Sequence, residues 1–235
     1  MNIAPDHHPG SWTIGFDGDD TLWHNESIFS MTQERFRTIL GGIDAAEVDR
    51  RLLEAERRNL GLFGYGIKGF VLSMIETAIE VTGGEVDARD IQTLIDCGKS
   101  MLAHPVELLD GVAETVEYLA NSHRLVLITK GDLFDQESKI ARSGLADLFD
   151  RIEIVSEKDP ETYRRVLARH DIEPERFLMV GNSVRSDILP VLEIGGQAVH
   201  VPYHITWAHE HVEPPAEGYR RIEGMAELTG VIAAL

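Results

Sequence analysis

The feature that most constrains this chain is a series of short apolar runs, each of strand length and each paired with a helical segment, that begins after His104-Pro105. Runs 124–129, 151–155, 176–180 and 197–201 read as buried strands, and 111–120, 136–143, 160–170 and 186–194 as helices. Such alternation predicts a parallel sheet with helices on both faces and a ligand crevice at the carboxyl ends of the strands. One further apolar strand, 12–16, stands apart near the start of the sequence. Between it and the rest the period is helical: 27–40, 44–60, 70–81 and 87–101 read as helices, two of them stopped by Gly41-Gly42 and Gly83-Gly84. The expected architecture is therefore α/β: a Rossmann-like parallel-sheet core from 1–24 and 106–235, interrupted by a small helical bundle over 25–105.

Composition agrees with a core of that size. The 235 residues are 43% apolar and 26% charged, as in a globular chain with a substantial interior. Forty acidic against 22 basic residues give a formal charge of -18, which disfavours nucleic acid and anionic membranes as partners. A phosphate-bearing ligand would have to be held by local groups. The single Cys97 precludes an internal disulfide and fits a reducing, cytoplasmic setting. Residues 1–10 carry neither a basic start nor an apolar run, so no secretory leader is expected there. Apolar runs such as 125–128 are too short to span a bilayer. Monomer and homodimer both remain open.

The chemistry-bearing residues gather where predicted strands end. Strand 12–16 runs into Asp17-Gly18-Asp19-Asp20-Thr21, two carboxylates two positions apart. Strand 124–129 runs into Thr129-Lys130-Gly131-Asp132, which offers a hydroxyl and free N–H groups at a helix approach. After strand 151–155, Asp159 reads as an N-cap with Pro160 as the first helical residue, which sets Lys158 just ahead of a helix. Strand 176–180 is followed by Gly181-Asn182-Ser183 and then Asp187.

In this order and placement the four segments resemble the motifs of the haloacid dehalogenase-like (HAD) superfamily, most of whose members are magnesium-dependent phosphatases. The resemblance covers about residues 13–201. It implies Asp17 as nucleophile, Asp19 as the group that protonates the leaving alkoxide and then deprotonates water, and Thr129 as a phosphoryl ligand. Lys130, Gly131 and Lys158 would also meet the substrate, and Lys158 would offset negative charge, with Lys139 as an alternative for that role. Mg²⁺ would be held by the Asp17 side chain, the Asp19 carbonyl, and Asn182 or Asp187. The fourth motif usually carries an acid where this chain has Asn182; an amide oxygen still suits Mg²⁺ but removes one charge from the site. The implied reaction is hydrolysis of a small phosphorylated metabolite, a phosphomonoester, through an aspartyl-phosphate. Dehalogenases of the superfamily lack the second acid, because a halide leaves unprotonated, whereas phosphomutases keep it. A phosphomutase-like transferase and a non-catalytic scaffold that binds a phosphorylated ligand are the alternatives.

The helical insertion sits where the superfamily places a cap that closes over the site and selects the leaving group. Within it the glycine-rich stretch 61–69 reads as a loop whose Lys68 could meet an anionic substrate. His200, His204, His209 and His211 match no standard zinc spacing and read as loop and core histidines. The charge-rich helix around 47–58 reads as a solvated face laced with ion pairs.

Overall fold

Strand β1 (Thr13–Phe16) is buried along its whole length, as a strand flanked on both edges must be. In the computed structural model of the protein, residues 12–205, 207, 210 and 212–235 are described. Among them β2 (Arg124–Lys130), β3 (Arg151–Val155), β4 (Phe177–Gly181), β5 (Gln197–His200) and β6 (Arg220–Arg221) join β1 in one parallel sheet of order β3-β2-β1-β4-β5-β6. From β1 the chain first builds outward through β2 and β3, then returns to the opposite edge of β1 with β4. That reversal opens a crevice at the carboxyl ends of β1 and β4, the expected ligand position in an open parallel sheet.

Alternation along the strands divides the interior between two faces. Ile14 and Phe16 of β1, Leu125 and Leu127 of β2, and Leu178 and Val180 of β4 pack with Val112, Val116 and Leu119 of α5 (Val112–Ala120) and Leu228 and Ile232 of α9 (Leu228–Ala233). On the other face Val126, Ile128, Phe177 and Met179 pack with Tyr163, Val166 and Leu167 of α7 (Pro160–Arg169) and Val191 of α8 (Leu189–Glu193). Each such large side chain, taken from water, contributes about 1.5–3 kcal/mol.

The chain divides into two compact units, and the helical one comprises Ser27–Pro105 together with Gly131–Gln136. Its helices are α1 (Glu26–Ile39), whose first residue belongs to the sheet unit, α2 (Ala45–Phe63), α3 (Ile67–Val81) and α4 (Ala88–Leu102). On α2, Val48, Leu52, Ala55 and Asn59 recur at helical spacing and form its buried face. Val48 and Leu52 belong to a separate core with Phe36, Phe70, Met74, Leu94 and Met101 among its members. Asp44 and Asp87 cap α2 and α4 by accepting from the N–H groups of Glu47 and Arg89.

The glycine-rich stretch is largely helical rather than a loop. α2 continues through Gly61 to Phe63 and α3 starts at Ile67, leaving Gly64-Tyr65-Gly66 as the turn. Gly64, at φ +73°, ends α2 in a conformation that L side chains rarely adopt. Segment 131–136 joins the helical unit because Lys68 Nζ pairs with Asp132 at 2.9 Å, and Gly66 packs where a Cβ would stand 3.3 Å from Asp132 Cβ. α6 (Leu133–Ser143) likewise starts ahead of its expected position, since Asp132 accepts from the Asp135 N–H at 3.1 Å. The segment expected as helix 186–194 divides into a π-helical turn, Val184–Ile188, and α8. β6 and α9, beyond 201, carry no periodicity long enough to predict.

Candidate active site

At the end of β1 the Asp17 N–H still donates to Val180 O at 2.9 Å, so the backbone stays tied to β4 as it leaves the sheet. The chain then folds back: the Leu22 N–H donates to Gly18 O at 2.8 Å and the Asp20 N–H to Trp23 O at 2.7 Å, with Asp20 at φ +60°. The Asp20 carboxylate caps the start of α1, accepting from the Asn25 and Glu26 N–H groups at 2.9 and 3.0 Å. Burial pushes its carboxyl up to about 7. Asp20 thus anchors the turn, a role for which the sequence offered only its place beside Asp19.

Lys158, 3% exposed, stands between two carboxylates, with Nζ 2.5 Å from Asp17 Oδ1 and 2.7 Å from Asp187 Oδ1. Asp159 accepts from the Thr162 N–H at 2.7 Å, capping α7 and setting the lysine ahead of the helix. Burial opposes the Lys158 charge, but Asp17 and Asp187 outweigh it and hold the ammonium above the ordinary lysine range. Burial likewise pushes Asp17 up, to about 7, against the pull of Lys158 and with Asp187 adding to the rise. Two buried carboxylates and one ammonium leave an unbalanced negative charge, which a cation would relieve.

Three oxygens converge beside this pair. The Asn182 side-chain amide comes within 3.1 Å of Asp17 Oδ2 and 3.3 Å of Asp19 O, with the Thr21 hydroxyl 3.3 Å away. With no cation there, hydrogen bonding favours the amide turned so that its NH₂ donates to both; the opposite orientation points Oδ1 at two acceptors. A cation would make that opposite orientation the favourable one: oxygens 2.0–2.1 Å from octahedral Mg²⁺ lie about 3 Å apart. Among the described residues no cluster of three His, Cys, Asp or Glu side chains could hold a metal. This set has one carboxylate, one amide oxygen and one backbone carbonyl, and it suits a hard cation. Thr21 steadies it, accepting from the Asn182 N–H at 3.0 Å and donating to Asp17 Oδ2 at 3.2 Å. His200 Nε2 lies 3.0 Å from Asn182 O.

Asp187 takes no part in that set. One of its oxygens meets Lys158 and the other accepts from the Ser183 N–H at 2.9 Å. Gly181 makes this approach possible, because a Cβ there would stand 2.2 Å from Asp187 Oδ2. Thr129, 1% exposed, lies across the turn, with Oγ1 3.2 Å from where a Cβ on Gly18 would be.

Other expected residues are arranged differently. Lys130 Nζ donates to Ser186 Oγ at 2.9 Å and pairs with Glu210, whose carboxylate also accepts from the Ser183 and Ser186 hydroxyls. Burial raises Glu210, but Lys130 and the two serines bring its carboxyl below the usual range. Glu210 lies in a loop without periodicity, and no sequence signal marked it. Gly131 and Lys68 belong to the helical unit, where Lys68 meets Asp132 and Gly131 takes φ +144°. Lys139 does not join the Lys158 cluster: its Nζ lies 2.7 and 2.8 Å from the two Asp19 oxygens. His204 lies against Tyr203 with the rings tilted and their centroids 4.2 Å apart, and His209 and His211 lie outside the described residues.

The pattern of the haloacid dehalogenase-like hydrolases matches residues 13–195. A haloacid dehalogenase-like family hydrolase from Xanthomonas campestris, known from its crystal structure, is 47% identical with a TM-score of 0.88 over 97% of this chain and 94% of its own. The HAD-hydrolase YfnB of Bacillus subtilis, solved bound to magnesium, shares the fold at 16% identity, with a TM-score of 0.66 over 94% of this chain and 98% of its own. A glyceraldehyde 3-phosphate phosphatase from Methanothermobacter thermautotrophicus is 28% identical over 123 residues, 50% of this chain and 54% of its own length. The chain thus spans about half the length of that curated relative. No helix among the described residues is long and apolar enough to cross a membrane.

Proposed function

Because this chain belongs to the haloacid dehalogenase-like hydrolases, we propose that it is a Mg²⁺-dependent phosphatase that cleaves a small phosphomonoester through an aspartyl-phosphate on Asp17. The observation that carries the reading is the convergence of Asp17 Oδ2, Asp19 O and the Asn182 side-chain amide, which could turn its oxygen to a shared cation, beside a buried nucleophile candidate. Magnesium bound there would offset the charge of an incoming phosphate and align it with Asp17. Asn182, rather than Asp187, is the ligand from the fourth motif, since both Asp187 oxygens are engaged elsewhere.

Asp17 has an oxygen for each task. Oδ2 faces the metal set, while Oδ1, held by Lys158, attacks phosphorus as the bond to the leaving oxygen breaks. Asp19, protonated, gives its proton to that leaving oxygen. As a carboxylate it then takes a proton from the water whose oxygen displaces Asp17 from phosphorus. Thr129 donates its hydroxyl to a phosphoryl oxygen, and Lys158 keeps Asp187 and Asp17 from repelling the substrate. The helical unit acts as the cap that selects the leaving group, and the phosphatase named among the relatives supports a phosphorylated metabolite as substrate.

A panel of phosphorylated metabolites assayed with Mg²⁺ tests the proposal. Turnover that disappears in Asp17→Asn supports it. Transfer of phosphate to a second sugar phosphate instead of water would indicate a mutase. Inactivity across the whole panel would favour a phospho-ligand-binding scaffold.

A further inference from the structure

Both oxygens of Asp19 are engaged by groups that lie outside the motifs. Lys139 Nζ straddles the carboxylate at 2.7 and 2.8 Å, and the Trp23 indole N–H donates to Oδ1 at 2.6 Å. Lys139 comes from α6, 120 positions along the chain, and is 9% exposed. Its ammonium also donates to Asn25 Oδ1 at 3.2 Å, so the Asp19 side chain is tied through one cation to the segment leading into α1. A lysine this buried needs a carboxylate partner, because an unpaired buried ammonium is strongly disfavoured. A bidentate contact also restricts the carboxylate to one orientation.

We propose that Lys139 is a positioning residue that acts through Asp19: with Trp23 it holds the carboxylate in a single rotamer next to the nucleophile. This rests on the reading of Asp19 as the proton carrier. In the first half-reaction the proton on Asp19 passes to the leaving oxygen as the P–O bond breaks. In the second, Asp19 takes one proton of water as the water oxygen bonds to phosphorus and the Asp17–phosphorus bond breaks. A misplaced Asp19 harms the first half-reaction most when the leaving oxygen is a basic alkoxide. It matters little when that oxygen is an aryloxide stable without a proton.

The test compares an alkyl phosphate with p-nitrophenyl phosphate in wild type, Lys139→Met and Lys139→Arg. Lys139→Met should lower kcat/KM, which reports formation of the aspartyl-phosphate, about 100-fold for the alkyl phosphate and less than about 5-fold for p-nitrophenyl phosphate, and Lys139→Arg should restore most of the loss. Independently of turnover, the indole ¹⁵N–¹H resonance of Trp23, assigned with Trp23→Phe, should move in Lys139→Met and stay near its place in Lys139→Arg. Equal losses on the two substrates, or an indole signal that does not move, overturn the proposal. If the wild type hydrolyses neither compound, the phosphatase reading fails, while the indole resonance still decides whether Lys139 holds Asp19.

Discussion

The Asn182 side-chain amide lies 3.1 Å from Asp17 Oδ2, where its NH₂ donates to the carboxylate in the absence of a cation and its oxygen would share a cation with the carboxylate in its presence. The first carries no charge, and the second is one of a buried pair of carboxylates with a single lysine between them. The site therefore combines a metal-shaped oxygen set with less negative charge than a second acid would supply.

Replacing the amide by a carboxylate restores that charge. Asn182→Asp should tighten Mg²⁺ binding about tenfold and weaken competitive inhibition by inorganic phosphate several-fold. Calorimetric Mg²⁺ titration and phosphate inhibition read the two effects, and if neither moves, Asn182 is not part of the metal set.

Removing Lys158 leaves Asp17 and Asp187 buried without their counter-charge. Lys158→Met should lose about 3–5 kcal/mol of unfolding free energy near neutral pH. The deficit should shrink on acidification, because a protonated Asp17 needs no cation. Urea unfolding at two pH values measures it, and a deficit that is equal at both would contradict the charge argument.

Gly181 admits the Asp187 carboxylate against the end of β4. In Gly181→Ala the added methyl falls 2.2 Å from Asp187 Oδ2, so either the aspartate or the backbone must move. A loss of about 1–3 kcal/mol is expected, with a disturbed Lys158 contact. Unchanged stability together with an unmoved Asp187 in a crystal structure of the variant would show that β4 yields without cost.

On α2, burial alone pushes the Glu56 carboxyl up to about 7. Its folded pKa lies above the unfolded value, so the folded state holds the extra proton between about 4.5 and 7, and stability falls as pH rises through that window. Glu56→Gln removes the titration. The variant should gain on the wild type by about 1–3 kcal/mol between pH 4.5 and 8, and parallel stability profiles would refute this.

What could be read before any contact was known was local and periodic. Strands β1, β2 and β4 are nearly unbroken apolar runs, so their ends follow from the length of each run and the turn residues that stop it, which places Asp17 and Asn182 just beyond β1 and β4 and Thr129 next to the last residue of β2. Asp159-Pro160 announces a helix start by the same short-range chemistry. The reach of α2 and α3 into the glycine-rich stretch is not legible in the sequence, because glycine marks both turns and close packing. The sequence by itself determined the sheet, the family resemblance and the strand ends at which chemistry could gather. Only the tertiary structure decided that Lys139 meets Asp19, that Glu210 meets Lys130, and that the Asn182 amide meets Asp17 while Asp187 turns to Lys158. Those choices depend on rotamers and on partners far apart in sequence, brought together by the order of the strands, and no local pattern encodes them.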